Sequence, residues 1–184
     1  MIIGLSGYAQ SGKDTVAQLL CLNYGYARMA FADPMREALY RLNPTIIVDN
    51  TDYYDVPLKQ YVDELGWDVA KKHADVRALL QRMGTEVGRG MFGDNFWVKY
   101  SFDQMADNKI VFADVRFPNE AKEIQQYGGQ VWRVNRKGHN PVNDHPSEHA
   151  MDNFMFKHVI INEGSLDDLA EEVFMLAKHV GLSR

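Results

Sequence analysis

A short glycine-rich segment near the start of the chain constrains the fold more than any other feature. Gly7 is followed by four residues and then by Gly12 and Lys13, directly after the apolar run Met1–Ser6 and before a helical pattern. Glycines in such a turn let successive backbone N–H groups point at one anion, and the N-terminus of the next helix adds its positive end. The spacing and the placement together predict a phosphate-binding loop between a strand and a helix.

The residue after Lys13 departs from the usual form of this loop. The motif normally has Ser or Thr there, whose hydroxyl ligates Mg²⁺, but this chain has Asp14 followed by Thr15. Three roles fit Asp14: it serves the metal directly or through water, it helps to position an acceptor, or it only stabilises the first helical turn by its charge. The pattern favours a functional role and leaves the choice among these open.

Strands and helices alternate along the chain. Short apolar runs predict strands at 1–6, 27–32, 109–113, 130–134 and 159–161. Helical patterns begin near Lys13, Asp33, Val76, Asp94, Pro118 and Ser165. This alternation predicts an α/β fold with a parallel sheet covered by helices on both faces. Because ligands of such sheets bind beyond the carboxyl ends of the strands, we expect functional residues in the loops after Ser6, Ala32, Ala113 and Val134.

Length and composition indicate one globular domain over 1–184. Residues 43–75 fit the alternation least well and predict an insertion of loops and short helices, and a polar loop over 136–150 predicts a lid. The net charge of -5 argues against broad binding to nucleic acid. With one cysteine, no leader and no apolar run of about 20 residues, we expect a cytoplasmic protein without a membrane span. A homodimer is among the states that the sequence leaves open.

Several segments together resemble one known family. They are SGKDT (11–15), AFADPMRE (30–37), LLQRMGTEVGRGMFGDNFW (79–97) and FADVRFPNEA (112–121), with a weaker likeness at HPSEHAMD (145–152). The first is common to many proteins, whereas GTEVGR together with DVRFPNEA is far more specific. On these segments the chain resembles the bacteriophage deoxynucleoside-monophosphate kinases, and a phage-encoded protein would act in the cytoplasm of its host.

This resemblance implies a three-layer P-loop kinase fold with a five-stranded parallel sheet, an acceptor-binding insertion and a lid. It implies direct transfer of the γ-phosphate of ATP to a (deoxy)nucleoside monophosphate, which gives the diphosphate, with Mg²⁺ as cofactor. ATP would be bound by the loop residues Ala9, Gln10, Ser11, Gly12, Lys13, Asp14 and Thr15. Mg²⁺ would be held by Asp14, Thr15 and Asp114.

Transfer to a phosphate oxygen needs positioning and positive charge more than a strong base. The expected catalytic residues are Lys13, Asp14, Arg116 and Arg136, the last of which opens the lid loop. The acceptor would be bound by Asp33, Arg36, Arg82, Trp97, Arg116 and Glu148. Some of these residues have a simpler alternative, since Arg82 and Glu86 are spaced as a helix-surface ion pair and Trp97 fits a core position.

Two other functions are compatible with the phosphate-binding loop. One is a kinase for another small phosphorylated metabolite, similar to the kinases of dephospho-coenzyme A or phosphomevalonate. The other is an ATP-binding switch or assembly ATPase without a small acceptor. Several Arg residues beyond the loop favour an acceptor phosphate over a switch.

Overall fold

The computed structural model describes residues 1–48 and 55–183. The strands are β1 (Ile3–Ser6), β2 (Ala27–Met29), β3 (Thr45–Ile47), β4 (Asp55–Pro57), β5 (Ile110–Phe112), β6 (Gln130–Asn135) and β7 (His158–Ile161). The α-helices are α1 (Lys13–Tyr24), α2 (Asp33–Leu42), α3 (Leu58–Leu65), α4 (Trp67–Ala70), α5 (Ala74–Arg82), α6 (Gly90–Phe92), α7 (Phe96–Asp103), α8 (Pro118–Gln126), α9 (Pro146–His149) and α10 (Leu166–His179). A π-helix, Met83–Arg89, lies between α5 and α6.

Internal contacts divide the chain into two compact units. The first, here called the sheet unit, consists of Met1–Phe31 and Ser101–Arg184, and the second, here called the helical unit, is Ala32–Tyr100. The predicted insertion over 43–75 falls inside the helical unit, and its residues 49–54 lie outside the described part of the chain. The arrangement of one domain with this insertion and a lid stays a prediction.

The sheet unit is built on five parallel strands in the order β2-β5-β1-β6-β7. The predicted five-stranded parallel sheet is therefore confirmed. The first strand is central, with Gly4 paired to Phe112 on one side and to Val131 on the other. Because the strands are parallel, the loops that follow β1, β5, β6 and β7 all leave from the same edge of the sheet.

Helices cover both faces of this sheet. Ile3 and Leu5 are fully buried on one face, in a cluster with residues of α1 and α10 such as Leu20 and Val173. On the opposite face a side chain at Gly4 would meet Ile124 of α8 at 2.6 Å. The alternation of β1 thus sends its large side chains to one layer and leaves room for α8 to approach closely on the other.

The helical unit has a core of its own. Leu39, Ile46, Leu58 and Val76 are buried there, contributed by α2, β3, α3 and α5. The strands β3 and β4 pair in antiparallel fashion, which the sequence did not predict. Leu42, the last residue of α2, is 67% exposed. Across the described residues, no helix combines the length and the apolar character that crossing a bilayer requires.

Candidate nucleotide-binding site

The glycine-rich loop between β1 and α1 has the backbone that only glycine permits at two positions. Gly7 has a φ of 146° and Gly12 a φ of 107°. A side chain at Gly7 would overlap the carbonyl oxygen of Val134, and one at Gly12 would lie 2.5 Å from Nδ2 of Asn162. Gln10 also has a positive φ, 62°, which is uncommon for a residue with a side chain. The loop thus keeps a turned backbone packed closely against the next strands.

Lys13 closes over this loop. Its ammonium donates to the carbonyl oxygen of Gly7 over 2.7 Å and to that of Tyr8 over 2.6 Å. Burial, and then the nearby charge of Arg116, lower the pKa of Lys13 to about 8, although the carboxylates of Asp14, Asp114 and Glu148 act in the opposite direction. Since this pKa lies above neutrality, the ammonium is mainly charged at pH 7 and available to an anion.

A cavity of about 310 Å³ opens beside the loop in the sheet unit. It is lined by Gln10, Gly12, Lys13, Asp14, Thr15, Arg136, Asn162, Gly164, Ser165, Leu166 and Leu169. The structure therefore brings Arg136, one of the predicted catalytic residues, to the same cavity as five of the predicted ATP-binding residues. Ala9 and Ser11 belong to the loop without lining the cavity, and Ser11 is 1% exposed.

The sequence did not indicate that the loop after β7 lines the cavity. Asn162, Gly164, Ser165 and Leu166 belong to the loop after that strand and to the start of α10. Their position after a parallel strand was the one signal that could have found them. Ser165 caps α10 together with Asp168: Ser165 Oγ accepts from the N–H of Asp168 over 3.2 Å, and the carboxylate of Asp168 accepts from the N–H of Ser165 over 2.7 Å.

Of the three residues predicted to hold metal, Asp14 and Asp114 have protein partners. Oδ1 of Asp14 lies 3.1 Å from Nη2 of Arg28, in an exposed ion pair. Asp114 follows β5, and its Oδ1 accepts from the N–H of Phe31 over 2.7 Å, which ties the end of β2 to the end of β5. Thr15 lines the cavity. Asp14 therefore has an electrostatic partner in addition to the helix N-terminus.

Arg116 and Glu148 form an ion pair in the sheet unit. Nη1 of Arg116 donates to Oε1 of Glu148 over 2.7 Å, and the carboxylate side chain is 7% exposed. The backbone N–H of Arg116 donates to Glu120 over 2.7 Å, as does that of Phe117 over 3.0 Å. The start of α8 thus fixes the backbone of Arg116, while Glu148 of α9 fixes the guanidinium.

The other predicted acceptor residues belong to the helical unit. Arg36 pairs with Asp33 over 3.0 Å and is partly buried. Arg82 lies 3.5 Å from Glu86, and both side chains are about two-thirds exposed, as the alternative of a surface pair predicts. The indole of Trp97 is buried and donates to the carbonyl oxygen of Gly84 over 3.0 Å. The acceptor role of these residues stays a prediction.

A buried arginine of β6 links the glycine-rich loop to the segment after α9. Arg133 lies with its guanidinium 4.7 Å from the centre of the Tyr8 ring and 3.8 Å from Oδ1 of Asp152. The hydroxyl of Tyr8 donates to the same carboxylate oxygen over 2.7 Å. This hydrogen bond raises the pKa of Tyr8, helped by burial. Arg133 therefore joins the glycine-rich loop to the segment after α9 through Tyr8 and Asp152.

The family model of the deoxynucleotide monophosphate kinases matches residues 47–173, which is more than half of the chain. The chain belongs to this family, as the resemblance of its segments predicted. The matched region begins after the glycine-rich loop, so that loop is an independent indication of a nucleotide-binding protein.

Two relatives match along nearly the whole chain. A protein of Acanthamoeba polyphaga mimivirus, provisionally named a deoxynucleotide monophosphate kinase, is 28% identical over 189 residues and 94% of each chain is covered. The deoxynucleotide monophosphate kinase of Enterobacteria phage T4 is 25% identical over 235 residues, with 94% of this chain and 96% of that protein covered. Among solved structures, shikimate kinase from Aquifex aeolicus has a TM-score of 0.47 at 12% identity, with both chains fully covered.

Proposed function

We propose that this protein transfers the γ-phosphate of ATP to a deoxynucleoside monophosphate. An oxygen of the acceptor phosphate forms a bond to the γ-phosphorus, the bond from that phosphorus to the β,γ-bridging oxygen breaks, and the products are ADP and the deoxynucleoside diphosphate. The observation that carries this proposal is the glycine-rich loop with Lys13 beside a cavity, in a chain of the deoxynucleotide monophosphate kinase family.

The donor side rests on charges and dipoles that suit a polyphosphate. Lys13 is held at the loop by two carbonyl oxygens, which an incoming phosphate would replace as acceptors of its N–H groups. The N-terminus of α1 adds positive potential. Arg136, exposed at the rim of the cavity, supplies a second positive charge near the transferred group.

On the acceptor side, Arg116 and Glu148 support the proposal within the sheet unit. A guanidinium can pair with two phosphate oxygens at once, and Arg116 keeps part of its donor set beyond the one that Glu148 accepts. Asp33, Arg36, Arg82 and Trp97 are proposed from the sequence as the contribution of the helical unit to acceptor binding.

The oxygen donors of Asp14, Thr15 and Asp114 fit Mg²⁺ that is bound together with ATP. This ion prefers hard oxygen ligands and usually takes one or two carboxylates plus substrate phosphates. In the described part of the chain, no cluster of three or more His, Cys, Asp or Glu side chains could hold a metal. When bound, Mg²⁺ would neutralise negative charge on the phosphates, while Asp14 and Asp114 would orient it.

A screen of acceptors tests this function. Purified protein is mixed with ATP, Mg²⁺ and each of the four deoxynucleoside monophosphates, the ribonucleotides, dephospho-coenzyme A or phosphomevalonate. We expect ADP release to depend on a deoxynucleoside monophosphate and to match formation of its diphosphate, and we expect no turnover by the Lys13→Ala variant. Release of ADP without any acceptor would indicate an ATPase or switch, and turnover of only a non-nucleotide acceptor would indicate the metabolite-kinase alternative.

A further inference from the structure

Asn162, the first residue after β7, is buried against the glycine-rich loop. It is 7% exposed, and its backbone N–H donates to the carbonyl oxygen of Asn135 over 2.8 Å, which continues the pairing of β6 and β7 by one residue. Its side-chain Nδ2 donates to the carbonyl oxygen of Ser11 over 2.9 Å. The sheet therefore holds this amide in a fixed place, and the amide holds one peptide of the loop.

The amide of Asn162 also packs directly on Gly12. A side chain at Gly12 would come within 2.5 Å of Nδ2, so the second glycine of the motif leaves the space that this amide occupies. Asn162 is thus in contact with both ends of the Ser11–Gly12 peptide. Asn23, in the same unit, also has a side-chain amide that donates to a backbone carbonyl: its Nδ2 donates to the carbonyl oxygen of Leu19 over 3.0 Å, near the C-terminal end of α1 and away from the loop.

The orientation of the Ser11–Gly12 peptide decides what the loop offers to an anion. In a trans peptide the carbonyl and the following N–H point in opposite directions. A carbonyl oxygen turned toward bound phosphate repels it, whereas an N–H in that direction attracts it. Because the carbonyl oxygen of Ser11 accepts from Asn162, it is held toward that side chain. The N–H of Gly12, in the same peptide, then points in the opposite direction.

We propose that Asn162 is a positioning residue that fixes the Ser11–Gly12 peptide of the loop for polyphosphate binding. The inference rests on the donor half of the proposed function, because it requires that the loop binds the phosphates of ATP. Asn162 also lines the cavity, so a direct contact with the base of the nucleotide is the competing role. The two roles differ in their effect on a polyphosphate without a base. A positioning residue affects the binding of such a ligand, whereas a residue that contacts only the base does not.

Calorimetric titration with ATP and with inorganic tripolyphosphate, both with Mg²⁺, separates these roles. For Asn162→Ala we expect both ligands to bind about tenfold more weakly, since one hydrogen bond that orients the loop is lost. The KM for the monophosphate acceptor should not change. Asn23→Ala is the matched control, because it removes a bond of the same kind away from the loop and should leave both affinities as they are.

Three results would overturn the proposal. The first is that Asn162→Ala binds ATP more weakly but binds tripolyphosphate as the wild type does. The second is that its loss of affinity is no larger than that of Asn23→Ala. The third is that the wild-type protein does not bind tripolyphosphate. If no deoxynucleoside monophosphate is phosphorylated but the titrations agree with expectation, the acceptor assignment fails and the role of Asn162 stands.

A second variant covers the case in which Asn162→Ala does not fold. Asn162→Asp keeps the size of the side chain, and the introduced carboxyl can donate to Ser11 only when it is protonated. We expect its affinity for tripolyphosphate, relative to that of the wild type at the same pH, to recover as the pH is lowered. A ratio that is independent of pH would contradict the role of the hydrogen bond.

Discussion

The guanidinium of Arg116 donates a 2.7 Å hydrogen bond to Glu148, whose side chain is nearly buried, whereas that of Arg116 is partly exposed. A carboxylate with 7% of its side chain exposed is costly to leave without a partner. The pair therefore limits the positions of Arg116, while 41% of the surface of its side chain stays exposed. This arrangement suits a guanidinium that binds a phosphate in a defined orientation.

Replacing Arg116 with lysine should harm the use of the acceptor although the charge is kept. An ammonium cannot form the planar contact with two phosphate oxygens. We therefore expect kcat/KM for the monophosphate to fall by a factor that corresponds to a loss of about 1.5–3 kcal/mol of transition-state stabilisation. ATP affinity measured without acceptor should barely change. Arg41→Lys is the control, because Arg41 also pairs with a glutamate, but on the exposed surface of α2. Equal losses in ATP binding and acceptor use would assign Arg116 to the donor side or to the fold.

Lys13→Ala should remove phosphoryl transfer and leave the protein folded. In the proposed reaction the ammonium contacts the transferred phosphate, and losing such a contact in the transition state costs about 3 kcal/mol or more, which is at least ~100-fold in rate. Turnover and the thermal unfolding temperature are measured for this variant and for Lys122→Ala, whose exposed side chain on α8 is outside the site. Turnover close to that of the wild type would refute the assignment of the phosphate-binding loop.

The pKa of Lys13 predicts the pH dependence of ATP binding. Because burial, followed by Arg116, lowers this pKa to about 8, the ligand-free protein loses the Lys13 charge as the pH rises through that value. We expect ATP affinity, measured by titration, to fall about fivefold over the first unit of pH above this pKa, because the charged fraction of Lys13 falls by that factor. Lys13→Arg should bind ATP with an affinity that does not fall in this range, because a guanidinium stays protonated.

The effect of the same group on stability has the opposite sign. Its folded pKa of about 8 is below the unfolded value of 10.5, so the unfolded chain binds more protons between these two values. The contribution of Lys13 to the free energy of unfolding therefore rises with pH through this window. A ligand-free protein whose Lys13-dependent stability fell with rising pH would contradict the assigned direction of the pKa.

Asp14 has two competing roles that a magnesium titration distinguishes. If its carboxylate serves the metal, Asp14→Asn should raise the Mg²⁺ concentration needed for half-maximal rate, and Asp14→Ser should recover part of the activity by restoring a hydroxyl. Arg28→Gln is the control, since it breaks the exposed 3.1 Å ion pair but keeps the carboxylate. An unchanged Mg²⁺ dependence in Asp14→Asn would favour the role of a charge at the helix N-terminus.

The sequence was sufficient for the sheet and for the phosphate-binding loop because their signals are local. The five apolar runs became five parallel strands, and Gly7 and Gly12 have the positive φ angles that the motif predicts. The limits of these strands were less accurate. The second was predicted over 27–32 but its pairing ends at Met29, since the following residues turn to place the N–H of Phe31 on Asp114.

Features that depend on tertiary contacts were not accessible to the same reasoning. The hairpin of β3 and β4 consists of two three-residue strands, which are too short for an alternating pattern to be read. Leu166 has the helical spacing of the buried Leu169 and Val173, yet it is 72% exposed and lines the cavity, whereas Ala177 is buried. The bond from Asn162 to Ser11 joins residues that are 151 positions apart, so no local pattern could indicate it.

The π-helix over Met83–Arg89 is another feature of this kind, and its packing gives a last prediction. The indole of Trp97 lies across it, donates to the carbonyl oxygen of Gly84 over 3.0 Å and occupies the space beside Gly88. A side chain at Gly88 would overlap Nε1 and Cε2 of that indole. The absence of a side chain at Gly88 therefore leaves the space through which the indole of Trp97 reaches the backbone of the π-helix.

Gly88→Ala should lower the free energy of unfolding by about 2–4 kcal/mol, because overpacking displaces the indole and breaks its hydrogen bond. Gly90→Ala is the matched control two residues further on. Its added carbon would make an ordinary 3.5 Å contact with the carbonyl oxygen of Thr85, and the backbone there is already helical. Alanine at that position should leave stability unchanged or raise it by up to ~1 kcal/mol. Both variants are compared with the wild type by urea unfolding. Equal midpoints for the two variants would mean that the contact between Gly88 and Trp97 does not exist in solution, and the packing argument for the buried position of Trp97 would then fail.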